Sequence, residues 1–249
     1  MTSEKLCGFD HPIRVLVVGA RDGIGKAFLD ELEQHPLAKV VFASSRHPDF
    51  ELRREGNLTL DITDASRCEA ISQQIKERVG GLDCIINCSG LLHGSDFGPE
   101  RTWRHFDVET MTKVFSVNTF GVGLLLRYFM PLLPRRGRGV FASLSARVGS
   151  ISDNRLGGWY SYRASKAAQH MFIRCASIEA KRSLPDALCV ALHPGTVDTE
   201  LSAPFTQRTP PERLFSPTQS ARYLLDVLDG LTVEDTGRVF AWDSTPIEY

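Results

Sequence analysis

Apolar residues follow two alternating rhythms along this chain. Residues 13–18, 40–43, 58–60, 82–86, 140–144 and 187–192 are short, largely continuous apolar runs. Runs of that length, rich in β-branched side chains, are what strands covered on both faces look like. Between the runs, apolar residues recur every three or four positions. Ile24, Ala27, Phe28 and Leu32 mark one helix, and Ile71, Ile75 and Val79 mark a second that stops at Gly80-Gly81. Met111, Val114, Phe115 and Asn118 share one face of a long third helix predicted to run to Pro131, and residues 159–182 read as a fourth. Ser216-Pro217-Thr218-Gln219 spells a capping box with proline at the first helical position, ahead of the stripe Ala221, Leu224, Leu225 and Leu228. Residues 238–241 read as a last strand. Strand and helix alternating from end to end predict one α/β domain over residues 1–249, a doubly wound, mostly parallel sheet with helices on both faces.

Composition narrows the functional classes. A chain of 249 residues, 42% hydrophobic and 24% charged, can bury a full sheet core. The net charge of −1 gives no basic field of the kind that gathers nucleic acid or anionic lipid. The first twelve residues carry Glu4, Lys5 and Asp10 and read as neither signal peptide nor anchor, and no apolar run approaches the ~20 residues of a membrane span. The six cysteines form no C-x-x-C pair, so the expectation is buried thiols in a reducing, cytoplasmic compartment. His93, His105, His170 and His193 lack metal-ligand spacing, and no metal site is expected.

Two short segments carry chemistry. The first strand is followed at once by Gly19-Ala20-Arg21-Asp22-Gly23-Ile24-Gly25, which opens into a helix. A helix N-terminus offers unpaired N–H groups and the positive end of a dipole, and glycines let a pyrophosphate come close to the backbone. This placement predicts a dinucleotide site. An acidic residue at the end of the second strand would select NAD through the ribose 2′-OH. Here Ser45 stands there and Arg46 follows, and a guanidinium suits the 2′-phosphate of NADP. Arg21 adds to that preference and Asp22 opposes it, so NADP is favoured over NAD.

The second segment is Tyr162-Arg163-Ala164-Ser165-Lys166. Residues four apart stack on one helix face, so the phenol and the ammonium point the same way. Ser145 lies just past the fifth strand, at the carboxyl end where open sheets bind ligands. Ser143 is the competing hydroxyl, placed deeper by strand alternation. An ammonium ~4 Å from the phenol, at an effective dielectric of ~20, is worth ~4 kcal/mol. That would bring a tyrosine titrating near ~10 down toward ~7.

The G-x-x-x-G-x-G spacing, with Y-x-x-x-K, resembles the short-chain dehydrogenase/reductase family. Four further segments match that family in order: Asp61-Ile62, Asn87-Cys88-Ser89-Gly90, Asn118, and Pro194-Gly195-Thr196-Val197-Asp198-Thr199. Val18 stands where the family often has Thr, and Cys88 replaces the second Asn of its turn. The resemblance implies a Rossmann-type fold and an NAD(P)-dependent oxidoreductase moving a hydride between nicotinamide and a carbonyl or secondary alcohol. It implies that Gly19, Gly23, Ile24 and Gly25 hold the pyrophosphate and that Asp61 and Ile62 meet the adenine. Asn87 and Gly90 line the cofactor, while Pro194, Gly195, Val197 and Thr199 embrace its nicotinamide end. Tyr162 would be the acid/base and Ser145 the hydrogen-bond donor to the reacting oxygen. Lys166 would tune the phenol and hold the ribose, with Asn118 anchoring a proton relay to it. The two long helices resemble those the family pairs across a two-fold axis, which implies a homodimer or homotetramer.

Residues 90–93, 147–154, 157–160, 193–199 and 240–243 resemble the C-factor-like branch in particular. The branch fixes no substrate. Residues 91–106 and 198–215 are the long non-repetitive stretches near strand ends, and Leu92, Trp159, Leu201 and Phe205 would make an apolar pocket for a hydrophobic carbonyl. Two rivals share the glycine turn: a non-catalytic dinucleotide sensor or signalling protein, which has no need of Ser145, Tyr162 and Lys166 together, and a doubly wound transferase, which lacks the Tyr/Lys helix.

Overall fold

In the computed structural model, which describes residues 4–47, 50 and 56–249, the apolar runs become strands β1 (Ile13–Val18), β2 (Ala38–Ser45), β3 (Asn57–Thr59), β4 (Cys84–Asn87), β5 (Gly139–Leu144) and β6 (Ala187–His193). The helices between them are α1 (Gly23–Gln34), α2 (Ala65–Val79), α3 (Val108–Phe115), α4 (Gly121–Phe129) and α5 (Tyr160–Ala180). Beyond β6 the chain adds β7 (Thr196–Val197), β8 (Leu214–Phe215), α6 (Pro217–Gly230), β9 (Val239–Ala241) and β10 (Pro246–Ile247). Eight strands form one sheet in the order β10-β9-β6-β5-β4-β1-β2-β3, with β7 and β8 paired apart from it. Within the large sheet only β10 runs antiparallel. The order reverses between β1 and β4, so the carboxyl ends of these two strands flank a crevice, as at other topological switch points.

Two cores explain why the strands are apolar throughout. Ile13, Val15 and Val17 of β1 pack with Phe28 and Leu32 of α1 and Leu224 and Leu228 of α6. The intervening Leu16 and Val18 belong to the opposite layer, with Leu125 and Phe129 of α4 and Ile173 of α5. Successive strand residues point to opposite faces, and here both faces are covered. Each fully buried side chain of this size contributes ~1.5–3 kcal/mol.

Two readings need correction. The long third helix is interrupted: Ser116–Phe120 forms a π-helical turn between α3 and α4. Only one arm of the capping box exists. Ser216 accepts from the Gln219 backbone N–H, but the Gln219 amide donates to the Tyr223 hydroxyl at 2.8 Å. The N-terminal stretch also contributes to the core, since Leu6, Cys7 and Phe9 are buried. The stop at Gly80 is as predicted: it adopts φ 80° and its N–H returns to the Lys76 carbonyl. Among the described residues, no helix is long and apolar enough to cross a membrane.

Candidate active site

The crevice is built around the turn that joins β1 to α1. Gly19 has φ +77° and Gly23 φ +52°, and the N–H groups of Gly19 and Ala20 donate to the Ser44 carbonyl at 3.0 and 2.9 Å. The turn folds back on the helix it starts. A Cβ on Gly25 would stand 2.0 Å from the Gly19 carbonyl oxygen. Asp22 is the N-cap residue of α1, yet its side chain caps nothing. The first-turn amides of α1 are therefore left for an anion in the crevice.

Two clefts meet at this turn and share Gly19, Asp22, Cys88, Ser89 and Gly90. The first, about 210 Å³, is also lined by Arg21, Ser45, Arg46, His47, Leu60, Asp61 and Ile62. Arg21 lies 4.0 Å from the Asp22 carboxylate. The Ser45 hydroxyl accepts from the His47 N–H at 3.1 Å, and Asp61 accepts from the N–H and hydroxyl of Thr63 at 2.9 and 2.7 Å. The second cleft, about 160 Å³, is lined by Gly23, Ile24, Gly25, Ser145, Tyr162, Lys166, Pro194 and Thr199. Thr199 sits against Gly23, where an added Cβ would be 3.2 Å from its methyl carbon.

Four predicted residues stand behind these walls. Asn87 is fully buried, donating to Ser143 Oγ at 2.9 Å and accepting from Ser89 N–H at 3.1 Å. Gly195 (φ +81°) packs on Phe215 and Trp242, and Val197 is a buried residue of β7. Asn118, also fully buried, sits in the π-helical turn. Its Oδ1 accepts from Leu91 N–H at 2.8 Å, and its Nδ2 donates to the Leu91 carbonyl at 2.8 Å and to Ser165 Oγ at 3.0 Å. The side chain thus engages Leu91 and Ser165 directly. These tertiary bonds accompany the π turn, a feature that often marks functional sites.

The reacting end hangs on α5. Trp159 precedes the helix in the left-handed region at φ 53°. Ser161 donates from its N–H to both Glu100 carboxylate oxygens, at 3.1 and 3.3 Å, and from its hydroxyl to Oε1. A carboxylate at a helix N-terminus is stabilising, and this one holds the residue next to Tyr162. Tyr162, Lys166, Gln169, His170 and Ile173 are all buried on one helical face. Lys166 Nζ donates to the Leu144 carbonyl at 3.0 Å and to Gln169 Oε1 at 2.9 Å, and lies 5.9 Å from the Tyr162 ring centroid. Gln169 Nε2 donates to Ser143 Oγ at 2.8 Å, and Ser145 Oγ is 2.7 Å from His170 Nε2. Ser143 is fully buried, as strand alternation predicts.

Burial sets the titration here, against the Coulomb expectation. It pushes the Tyr162 phenol up to about 12 and the Lys166 ammonium down to about 7. The lysine donates to a carbonyl and an amide oxygen, and desolvation by burial sets the phenol's rise. Burial, reinforced by Lys166, lowers His170 to about 4, and burial with help from Arg147 does the same for His193. In the unfolded chain these imidazoles bind protons near pH ~6.5. Between about 4 and 6.5 the unfolded state therefore holds more protons, and stability rises with pH by a few kcal/mol across that window. Thermal melting at about pH 4.5 and about pH 6.5 checks this; equal midpoints would contradict it.

The wall beside Tyr162 is apolar. Leu92, Val114 and Tyr162 form a small buried cluster, packed by Phe97, Val148, Trp159 and Leu201. Phe205 stands edge-on to Trp159 at 5.0 Å and to His93 at 5.8 Å, and His93 Nε2 is 3.1 Å from the Leu201 carbonyl. The two long loops therefore meet at this wall. Among the described residues, no group of three His, Cys, Asp or Glu is placed to hold a metal ion.

Sequence reasoning missed Glu100, Gln169 and His170 as parts of the site. The last two were accessible, since they continue the Tyr162/Lys166 face by one turn. Glu100 carries no local signal.

Residues 14–210 match the family model described as short chain dehydrogenase. The 1-hydroxy-2-glutathionyl-2-methyl-3-butene dehydrogenase of Rhodococcus sp. (strain AD45) is 29% identical over 239 residues, covering 94% of this chain and 99% of that protein. The C-signal protein of Myxococcus xanthus is 33% identical over 174 residues, 68% of this chain and 94% of its own length. The NADPH-bound carbonyl reductase from chicken fatty liver superposes with a TM-score of 0.82 at 28% identity, covering 96% of this chain and all of that one. This chain belongs to the short-chain dehydrogenase/reductase family of NAD(P)-dependent oxidoreductases, with C-signal among its relatives.

Proposed function

We propose that this protein interconverts a hydrophobic carbonyl and its secondary alcohol with NADP(H), using Tyr162 as the acid/base. The observation that carries the reading is that Ser145, Tyr162 and Lys166 line one cleft, which shares the glycine turn with the cleft of Arg46. The residues present fit a dinucleotide, because the glycine turn brings the uncapped amides of α1 to the junction of the two clefts. Gly19, Gly23, Ile24 and Gly25 would hold its pyrophosphate, Asp61 and Ile62 its adenine side, and Gly90, Pro194 and Thr199 its nicotinamide side. Asn87, Gly195 and Val197 support those walls from behind. Bound there, the cofactor supplies the hydride chemistry, and the protein supplies position and field.

A phenol titrating at about 12 is protonated at neutral pH, so Tyr162 begins as the acid and gives its proton to the carbonyl oxygen in the reductive direction. Ser145 hydrogen-bonds the same oxygen and stabilises the charge that develops on it. Lys166 holds the ribose and sets the field at the phenol. Asn118 acts by fixing Leu91 and Ser165 around the site. Leu92, Trp159, Leu201 and Phe205 form the apolar side of the substrate pocket. The likeness to an NADPH-bound carbonyl reductase supports both the carbonyl substrate and NADP.

Arg46 carries the cofactor preference, since Arg21 is already drawn to Asp22. A charge-assisted hydrogen bond to a 2′-phosphate, worth about 1.5–3 kcal/mol, corresponds to roughly 10- to 100-fold tighter NADPH than NADH. Fluorescence titration with both cofactors, and consumption of NADPH against a panel of carbonyls, test the reading. Equal or tighter NADH binding would reject the preference. Binding with no turnover across the panel would favour a dinucleotide sensor instead.

A further inference from the structure

His170 is a buried titratable side chain that the reaction so far does not use. We propose that it is a positioning residue whose Nε2–H donates to Ser145 Oγ, leaving the single hydroxyl proton of Ser145 to point at the substrate oxygen. This inference rests on the catalytic reading of Ser145 given above.

A serine hydroxyl has one proton and two lone pairs, and a neutral imidazole has one N–H and one acceptor nitrogen. His170 Nε2 lies 2.7 Å from Ser145 Oγ, so one of the two is the donor. His170 Nδ1 is buried with no hydrogen-bond partner. Were the proton on Nδ1, a buried donor would be stranded and Ser145 would direct its only proton back into the protein. With the proton on Nε2, what is stranded is a lone pair, which proteins tolerate more readily than an orphaned N–H. The imidazolium form, with both nitrogens as donors, is disfavoured by the burial and the neighbouring Lys166 already described. The ring is also confined: a Cβ on Gly149 would lie 2.8 Å from its Cε1. The resulting chain runs from Nε2–H to Oγ–H to the substrate oxygen, and serial hydrogen bonds polarise one another. A donor behind Ser145 therefore strengthens the donor in front of it as negative charge grows on the reacting oxygen.

Two measurements on the full-length protein test this. Nitrogen-15 NMR of the histidine side chains at neutral pH should show His170 protonated at Nε2 and bare at Nδ1; the opposite tautomer would overturn the proposal, and this readout needs no substrate. With NADPH and benzil, an apolar aromatic diketone suited to the Trp159 and Phe205 wall, His170→Phe should lower kcat/KM about 10- to 100-fold while leaving the Kd for NADPH unchanged. His170→Gln, which returns an amide N–H near the position of Nε2, should recover most of that loss. In a Ser145→Ala background, His170→Phe should cost less than about twofold, because the two residues act as one unit. His170→Phe at parental rates, or with the same cost in both backgrounds, would overturn the assignment. A fully active Tyr162→Phe would instead refute the catalytic reading on which it rests.

Discussion

Tyr162→Phe is expected to lower turnover by about 10²- to 10⁴-fold, the range general acid–base catalysis supplies, and to leave the Kd for NADPH and the melting temperature nearly unchanged. The substitution removes one oxygen and keeps the ring, so the packing of the ring against Leu92, Val114 and Trp159 survives. It leaves Lys166 in place, because that ammonium is held by the Leu144 carbonyl and Gln169. What disappears is the proton donor to the reacting oxygen. Steady-state kinetics on the best substrate of a carbonyl panel, together with a cofactor titration, separates the two effects. Loss of cofactor binding in parallel with activity would mean the phenol has a structural part instead. Full activity would remove Tyr162 from the chemistry altogether.

What could be read in the sequence and what could not divides along physical lines. The parallel strands were legible because burial on both faces makes each a largely continuous apolar run, as in β1, β4, β5 and β6. The glycine turn and the Tyr162/Lys166 pair were legible because their spacing is local: a turn and one helical step. The π turn at Ser116–Phe120 was not, since the bonds of Asn118 run to Leu91 and Ser165, 27 and 47 residues away. For the same reason Glu100 was invisible as the partner of Ser161. The capping box failed halfway because Tyr223, one turn on, offers Gln219 a competing acceptor. Leu6 and Phe9 lie outside every periodic run, yet a short bridge folds them into the core.

The titration of the site shows a different kind of limit. An interaction at ~4 Å and a dielectric of ~20 predicts an acidified phenol. It leaves out the cost of burying the phenolate and the ammonium themselves, which depends on how the whole α5 face packs. That cost decides the sign, and Tyr162 rises to about 12. Sequence spacing brings two groups together; it does not say how dry the place is where they meet.

Gly25→Ala sets two effects of opposite sign against each other in the same helix. By helix propensity alone, alanine should stabilise α1 by up to ~1 kcal/mol over glycine. By packing, the new Cβ would stand 2.0 Å from the Gly19 oxygen and 2.8 Å from the Gly19 carbonyl carbon. Both are backbone atoms at the hinge of the turn, so no side chain can swing aside. Sterics therefore win, and the variant is expected to lose about 1–3 kcal/mol, the usual cost of overpacking, or roughly 2–4 °C of melting temperature per kcal/mol for a chain of this size. NADPH binding should suffer more than stability does, because the turn that must shift is the one that presents the α1 amides. A loss of about 100-fold or more in affinity follows from misplacing two or three charge-assisted hydrogen bonds. Gly230→Ala is the control, since a Cβ on that last residue of α6 meets nothing within 4 Å; there propensity acts alone and the melting temperature should hold or rise. If Gly25→Ala melts and binds NADPH like the parent, the turn is not the phosphate cradle, and the dinucleotide must be held by some other part of the crevice.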